Sequence, residues 1–139
     1  QLLRFPAAKV RPQGRGAGGM AGISLREGAR VIAGAAVPED LLAEAVVVTV
    51  AGSEGSLPGT GGGSVKVTPL DRYPAKGRAT GGVRSHRFLR GEDELTVAWV
   101  GVAPPRALRE GGKPVALPEP DERRDGSGSP LPAPIIGIG

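Results

Sequence analysis

The chain has no cysteine, a single histidine (His86), and only four aromatic residues: Phe5, Tyr73, Phe88 and Trp99. Without cysteine there is no disulfide and no thiolate metal site, and the composition suits a reducing, cytoplasmic setting. Four aromatics across 139 residues predict a thin core and marginal stability. No stretch approaches the roughly 18 apolar residues that a membrane span needs, so no membrane partner is expected. No secretory signal is visible, yet Gln1 is not an initiator methionine and Gln1-Leu2-Leu3-Arg4-Phe5 starts abruptly as a strand. The chain therefore reads as a piece of something longer.

What is abundant is glycine and proline, 24 and 14 residues respectively, a level at which low-complexity disorder has to be considered. The β-branched runs Ala45 to Val50 and Leu95 to Val100, set between turn formers, argue against it. Strands are expected at 1–5, 21–25, 29–33, 46–50, 64–68, 83–89 and 94–100, with a weaker one near 114–117. One helical turn is expected at Pro38-Glu39-Asp40-Leu41-Leu42, where proline and acids suit a first turn. A Gly/Ser hairpin loop spans Gly52 to Gly63, and Asp125 to Ser129 reads as a turn. Residues 102–112 and 119–139 look looser, with Ile135 to Ile138 pairing as a terminal edge. Short strands between turns, with little helical periodicity, make the fold all-β, and repetition of several strands per unit points to propeller-like blades.

The repetition is visible directly. Gly14-Arg15-Gly16-Ala17-Gly18-Gly19 returns 63 residues later as Gly77-Arg78-Ala79-Thr80-Gly81-Gly82. The match runs backwards without a gap, aligning Pro6 with Pro69 and Lys9 with Arg72. Charge travels with it: residues 1–16 and 64–90 hold eleven of the 18 basic residues and one of the 14 acids. Such clustering has the form of a footprint for phosphates; a solvated charged surface is the plainer alternative. Glycine permits close backbone approach to an anion and arginine offers a planar fork, while the same glycines also serve as tight loop corners.

Other candidate motifs are weaker. Gly14, Gly16 and Gly19 have dinucleotide-fingerprint spacing, but no helix follows and no βαβ unit surrounds them. Gly59 to Lys66 fails as a phosphate loop, because Val67 stands where Ser or Thr belongs. No triad can be written around His86, which is expected to face solvent or a phosphate. Glu92-Asp93-Glu94 reads as a solvated turn rather than a metal cluster. Tyr73 and Trp99 read as packing residues rather than as a nucleophile or a base-stacking platform.

Gln13 to Ile23, Tyr73 to Val83 and the loop before Lys66-Val67-Thr68 resemble the repeat in the C-terminal domain of the DNA gyrase A-subunit, or of its topoisomerase IV counterpart, in a high-GC actinobacterial version. The resemblance covers about residues 1–101. It implies a β-pinwheel: a first repeat over 1–63, a second over 64–117 and a loosely ordered tail over 118–139. It implies a basic rim that binds and bends duplex DNA, carried here by Arg15, Lys66, Arg72, Lys76, Arg78, Arg84 and Arg87. The loop glycines would be Gly14, Gly16, Gly18, Gly19, Gly77, Gly81 and Gly82. No catalytic residue, cofactor or metal is expected in this chain; ATP and Mg would bind elsewhere in the intact enzyme. Its partners would be duplex DNA, the ATPase B-subunit, and the rest of the A-subunit, in a nucleoid-associated, cytoplasmic setting. Gyrase carries a Q-R-R-G-G-R/K-G box. Here Gly14 and Ala17 depart from it, so gyrase and topoisomerase IV are not separated. A structural or protein-interaction β-repeat without DNA binding is the alternative.

Overall fold

Val46-Val47-Val48-Thr49-Val50, the clearest strand in the sequence, lies at the centre of the molecule. The computed structural model describes residues 1–53 and 62–139. Strand β1 (Ala45–Gly52) is buried along nearly its whole length, which is why it reads as a continuous apolar run rather than an alternating one. It pairs antiparallel with β2 (Ser64–Pro69) on one side and β3 (Glu94–Val102) on the other. A two-residue strand, β6 (Ser129–Pro130), pairs with β2 and completes the sheet order β3-β1-β2-β6. A second, three-stranded sheet has the order β5-β4-β7, from β4 (Ala107–Arg109), β5 (Lys113–Val115) and β7 (Gly137–Ile138).

The two faces of β1 serve different cores, because successive side chains point to opposite sides. Val46, Val48 and Val50 pack with Val65, Val67, Ala107, Val115 and Ile135, with Val97 and Trp99 against them. Ala45 and Val47 pack with Leu70 and fully buried Tyr73. That second face turns polar at its other end, where Thr49, Ser64 and Lys66 are buried. Tyr73 and Trp99 thus have the packing roles expected of them, and Trp99 lies over Gly101, where a Cβ would collide with its ring.

The 63-residue repeat is written in the backbone as well as in the sequence. Helical 3-10 turns occur at Ala7–Lys9 and Leu70–Arg72, closed by Val10 N–H to the Ala7 carbonyl (2.9 Å) and Tyr73 N–H to the Leu70 carbonyl (3.1 Å). Ala29 N–H donates to the Arg26 carbonyl and Glu92 N–H to the Leu89 carbonyl, each at 3.0 Å. Left-handed glycines match in pairs, Gly19 (φ 84°) with Gly82 (φ 71°) and Gly28 (φ 76°) with Gly91 (φ 89°).

Several expected strands do not form. Residues 21–25 and 29–33 lie in no ladder, and 83–89 contributes only an isolated bridge. At 1–5 there are only the bridges Leu2↔Val83 and Arg4↔Ala75. The reason is partnership: a β-reading segment needs backbone donors and acceptors beside it. Both edges of β1 are occupied, so Val31 and Ile32 stay exposed. Residues 22 and 24 spend their hydrogen bonds on Ala79 and Thr80, and Arg87 N–H goes to the Gly126 carbonyl. The strands at β1, β2 and β3 and the pairing at Ile138 follow expectation. So does the helical turn, which extends over Glu39–Glu44. The tail expected to be loose supplies β6, β7 and buried Ile135. The loop expected over 52–63 lies outside the described residues except at its ends, as does the start of the Gly59 to Lys66 stretch.

Candidate nucleic-acid interface

The second Gly-Arg loop packs against the segments on either side of the first, residues 2–4 and 21–24. Leu2 and Val83 exchange reciprocal backbone hydrogen bonds of 2.8 and 2.9 Å, and Lys76 N–H donates to the Arg4 carbonyl at 2.9 Å. Arg4 Nε donates to the Tyr73 carbonyl at 2.8 Å. Ala79 N–H reaches the Gly22 carbonyl at 2.7 Å and Ser24 N–H the Thr80 carbonyl at 3.0 Å. Gly82 makes this approach possible: its φ is positive, and a Cβ there would stand 2.7 Å from the Leu2 carbonyl carbon. Of the seven loop glycines only Gly19 and Gly82 are left-handed. Around Gly14, Gly16 and Gly18 there is open space, and Gly77 and Gly81 would admit a Cβ at ordinary contact distance.

The basic residues divide into two groups. Arg15, Lys76, Arg84 and Arg87 are exposed. Arg84 and Arg87 join Arg26 around an open groove of about 380 Å³ that also touches Gln1, His86 and Phe88, with no carboxylate among its described lining residues. The second group is engaged within the chain. The Arg78 guanidinium donates to the Ala21 carbonyl, tying the second loop to the segment that follows the first. Arg72 pairs with Glu122 and lies 3.7 Å from Asp71.

Lys66 corrects the expectation outright. It is 2% exposed because it lies on the inner polar face of β2, opposite Thr49. Its Nζ donates to the carbonyls of Arg123 (3.3 Å), Arg124 and Gly126 (3.1 Å). Burial pushes its pKa down to about 8, partly opposed by Asp121 and Asp125. An ammonium enclosed by a collar of carbonyls presents nothing to a phosphate.

His86 likewise faces the interior. Gly128 N–H donates to Nε2 at 3.2 Å, so Nε2 bears no proton, and the neutral ring directs its Nδ1–H at Thr49 Oγ1, 2.9 Å away. Ser64 Oγ lies 3.0 Å from Nε2. Burial first, and the Lys66 charge second, lower its pKa. Above 6.5, the free-histidine value, folded and unfolded chains are both neutral at this site. Below it the unfolded chain takes up a proton first, so stability is lost as pH falls towards the lower folded-state pKa. Protonation opposes the Gly128 bond, and urea midpoints measured from pH 7.5 down to about pH 5 should show a loss of about 1–2 kcal/mol. The variant His86→Gln should be less stable and show a shallower slope over the same range; an equal slope in both chains would refute the assignment to His86.

Neither Lys66 nor His86 is legible in the sequence as part of a lock, because their partners are distant in the chain and, for Lys66, are backbone carbonyls that carry no side-chain signature. The one available signal is position, since alternation along Ser64 to Thr68 places Lys66 with Ser64 and Thr68 on one face. Tyr73 is fully buried, and burial raises its hydroxyl pKa, the reverse of what activates a nucleophile. The Glu92 carboxylate accepts from Leu89 N–H at 2.6 Å. Among the described residues no helix is long and apolar enough to cross a membrane.

An all-β unit with a sequence and backbone repeat and exposed basic turns has the character of a propeller-type repeat domain. The family model of the DNA gyrase C-terminal domain, a β-propeller, matches residues 1–38 and 59–96, more than half of the chain. The topoisomerase subunit TopoM of Mycolicibacterium smegmatis is 35% identical over 99 residues, covering 70% of this chain and 12% of that protein. The chain belongs to the DNA gyrase C-terminal domain family. The two matched stretches each contain one Gly-Arg loop, 14–19 and 77–82.

Proposed function

We propose that this chain binds and bends duplex DNA as part of the A-subunit of a gyrase- or topoisomerase IV-type enzyme. It supports ATP-dependent strand passage without cleavage chemistry of its own. The supporting observation is the groove lined by Arg26, Arg84 and Arg87, with no carboxylate among its described lining residues. Arg15 and Lys76 are exposed as well. Guanidinium forks on turns without a base-reading helix suit phosphate contacts, which position a duplex without reading its sequence. In this reading the cleavage tyrosine, the ATPase and its Mg lie in other parts of the enzyme. The protein partners are the B-subunit, together with the remainder of the A-subunit, in the nucleoid-associated cytoplasm.

Gel-shift titration across salt concentrations tests the reading. With about 6 phosphates neutralised, log K should fall against log salt with a slope near about −5. Combining Arg84→Glu with Arg87→Glu should reduce that slope by about 2 and weaken binding at least about tenfold. Binding indifferent to salt, or unchanged in the double variant, would sink the proposal. A protein-interaction role is the second reading, favoured by the exposed Val31 and Ile32; it predicts no DNA affinity to lose.

A further inference from the structure

Leu25 and Phe88 occupy one and the same position in the two repeats, 63 residues apart. Each stands immediately before a turn closed by a single 3.0 Å hydrogen bond, Ala29 to Arg26 and Glu92 to Leu89. Each turn has a left-handed glycine, Gly28 or Gly91, at its third residue. Leu25 is 45% exposed and Phe88 41%, and Leu89 beside it is 44% exposed. None of the three belongs to either hydrophobic core. The Phe88 turn is braced again by the Glu92 carboxylate on Leu89 N–H, so the apolar tip sits on a fixed support.

A single exposed apolar residue is ordinary. Two at matched positions, on hydrogen-bonded turns, each with arginine next to it, form a pattern. Arg26 follows Leu25, while Arg87 precedes Phe88 and Arg90 stands two residues after it. Phe88 also shares that groove with Arg26, Arg84 and Arg87. An apolar side chain flanked by guanidinium groups is the chemistry by which architectural proteins enter the minor groove, part-unstack a base step and kink the duplex. The cost of kinking is least at flexible pyrimidine–purine steps.

We propose that Leu25 and Phe88 are apolar wedges, one per repeat, that insert at base steps of a bound duplex while the neighbouring arginines hold its phosphates. This rests on the DNA-binding reading above and adds to it: bending is imposed at discrete steps rather than by backbone attraction alone.

The full chain is mixed with a duplex of about 40 base pairs carrying TA steps. The duplex bears a fluorophore pair at its ends and 2-aminopurine beside the TA steps. Anisotropy reads binding, energy transfer reads bending, and 2-aminopurine emission reads unstacking. The unaltered chain should raise 2-aminopurine emission and shorten the end-to-end distance. Combining Leu25→Ala with Phe88→Ala should abolish the emission rise and most of the bend at protein concentrations where anisotropy shows the duplex saturated. Binding by the unaltered chain without any emission change overturns the wedges and leaves the DNA-binding reading standing; this arm needs no variant to fold. Undiminished bending by the double variant overturns them as well. Absence of binding at low salt overturns both.

Discussion

A chain that stops at Leu117 is expected to lose its cooperative unfolding transition. Residues 118–139 carry Ile135 into the core shared by Val46, Val48, Val50, Val65, Val67, Ala107 and Val115. They also supply β6 to the edge of β2, the three carbonyls around Lys66 and the N–H that Gly128 gives to His86. Burying one isoleucine contributes about 1.5–3 kcal/mol. The lost hydrogen bonds to Lys66, to His86 and along the edge of β2 contribute about 1 kcal/mol each. Together these come to about 5 kcal/mol or more, against a typical whole-domain stability of about 5–15. Trp99 is the only tryptophan and packs against this core, so its emission during urea titration reports the transition. A loosely attached tail would leave the midpoint of the shortened chain where it was, and that result would contradict the packing described here.

The variant Lys66→Met is expected to cost about 1–3 kcal/mol. Methionine retains the unbranched stem, so little of the loss is volume. The loss comes chiefly from the Arg124 carbonyl, left without its donor, because the Arg123 and Gly126 carbonyls keep the N–H groups of Gly126 and Arg87. By contrast Arg15→Met, on an exposed loop, should stay within about 0.5 kcal/mol. The unaltered chain should also gain stability as pH rises from about 8 to 10.5, because the unfolded lysine holds its proton longer than the folded one. Lys66→Met should lack that rise. Its DNA salt slope, measured on the folded fraction, should equal that of the unaltered chain. A reduced slope would place the ammonium on a phosphate instead of on the carbonyls of residues 123–126.

The elements that can be read in advance are those whose signal is local. Val46 to Val50 and Leu95 to Val100 are β-branched runs between turn formers, and Pro38-Glu39-Asp40 marks the start of a helical turn. The Gly-Arg repeat announces itself by spacing, and the structure extends it to matched 3-10 turns and matched left-handed glycines. The departures share one physical cause. Residues 21–25, 29–33 and 83–89 have strand composition, but a strand is a relation between two segments, and here the neighbours are loops and tail. Lys66 is misplaced by a count of charge, which does not tell which face of β2 it occupies. The tail is misjudged because proline and glycine suggest looseness, whereas its work is done by backbone carbonyls and N–H groups, which nearly every residue type provides.

The carbonyl collar also sets a timetable for synthesis. The first of its acceptors comes 57 residues after Lys66. At about 5–20 residues per second, the ribosome takes about 3–12 s to supply it. Over much of that interval β1 and β2 exist without β3, leaving the valine-rich edge of β1 bare, and without β6, which would cover β2. Because its contacts close late and over long sequence separations, the blade folds slowly once released. The nascent chain is therefore most vulnerable to strand-edge association between the emergence of Val50 and that of Val97, whatever the stability of the finished molecule.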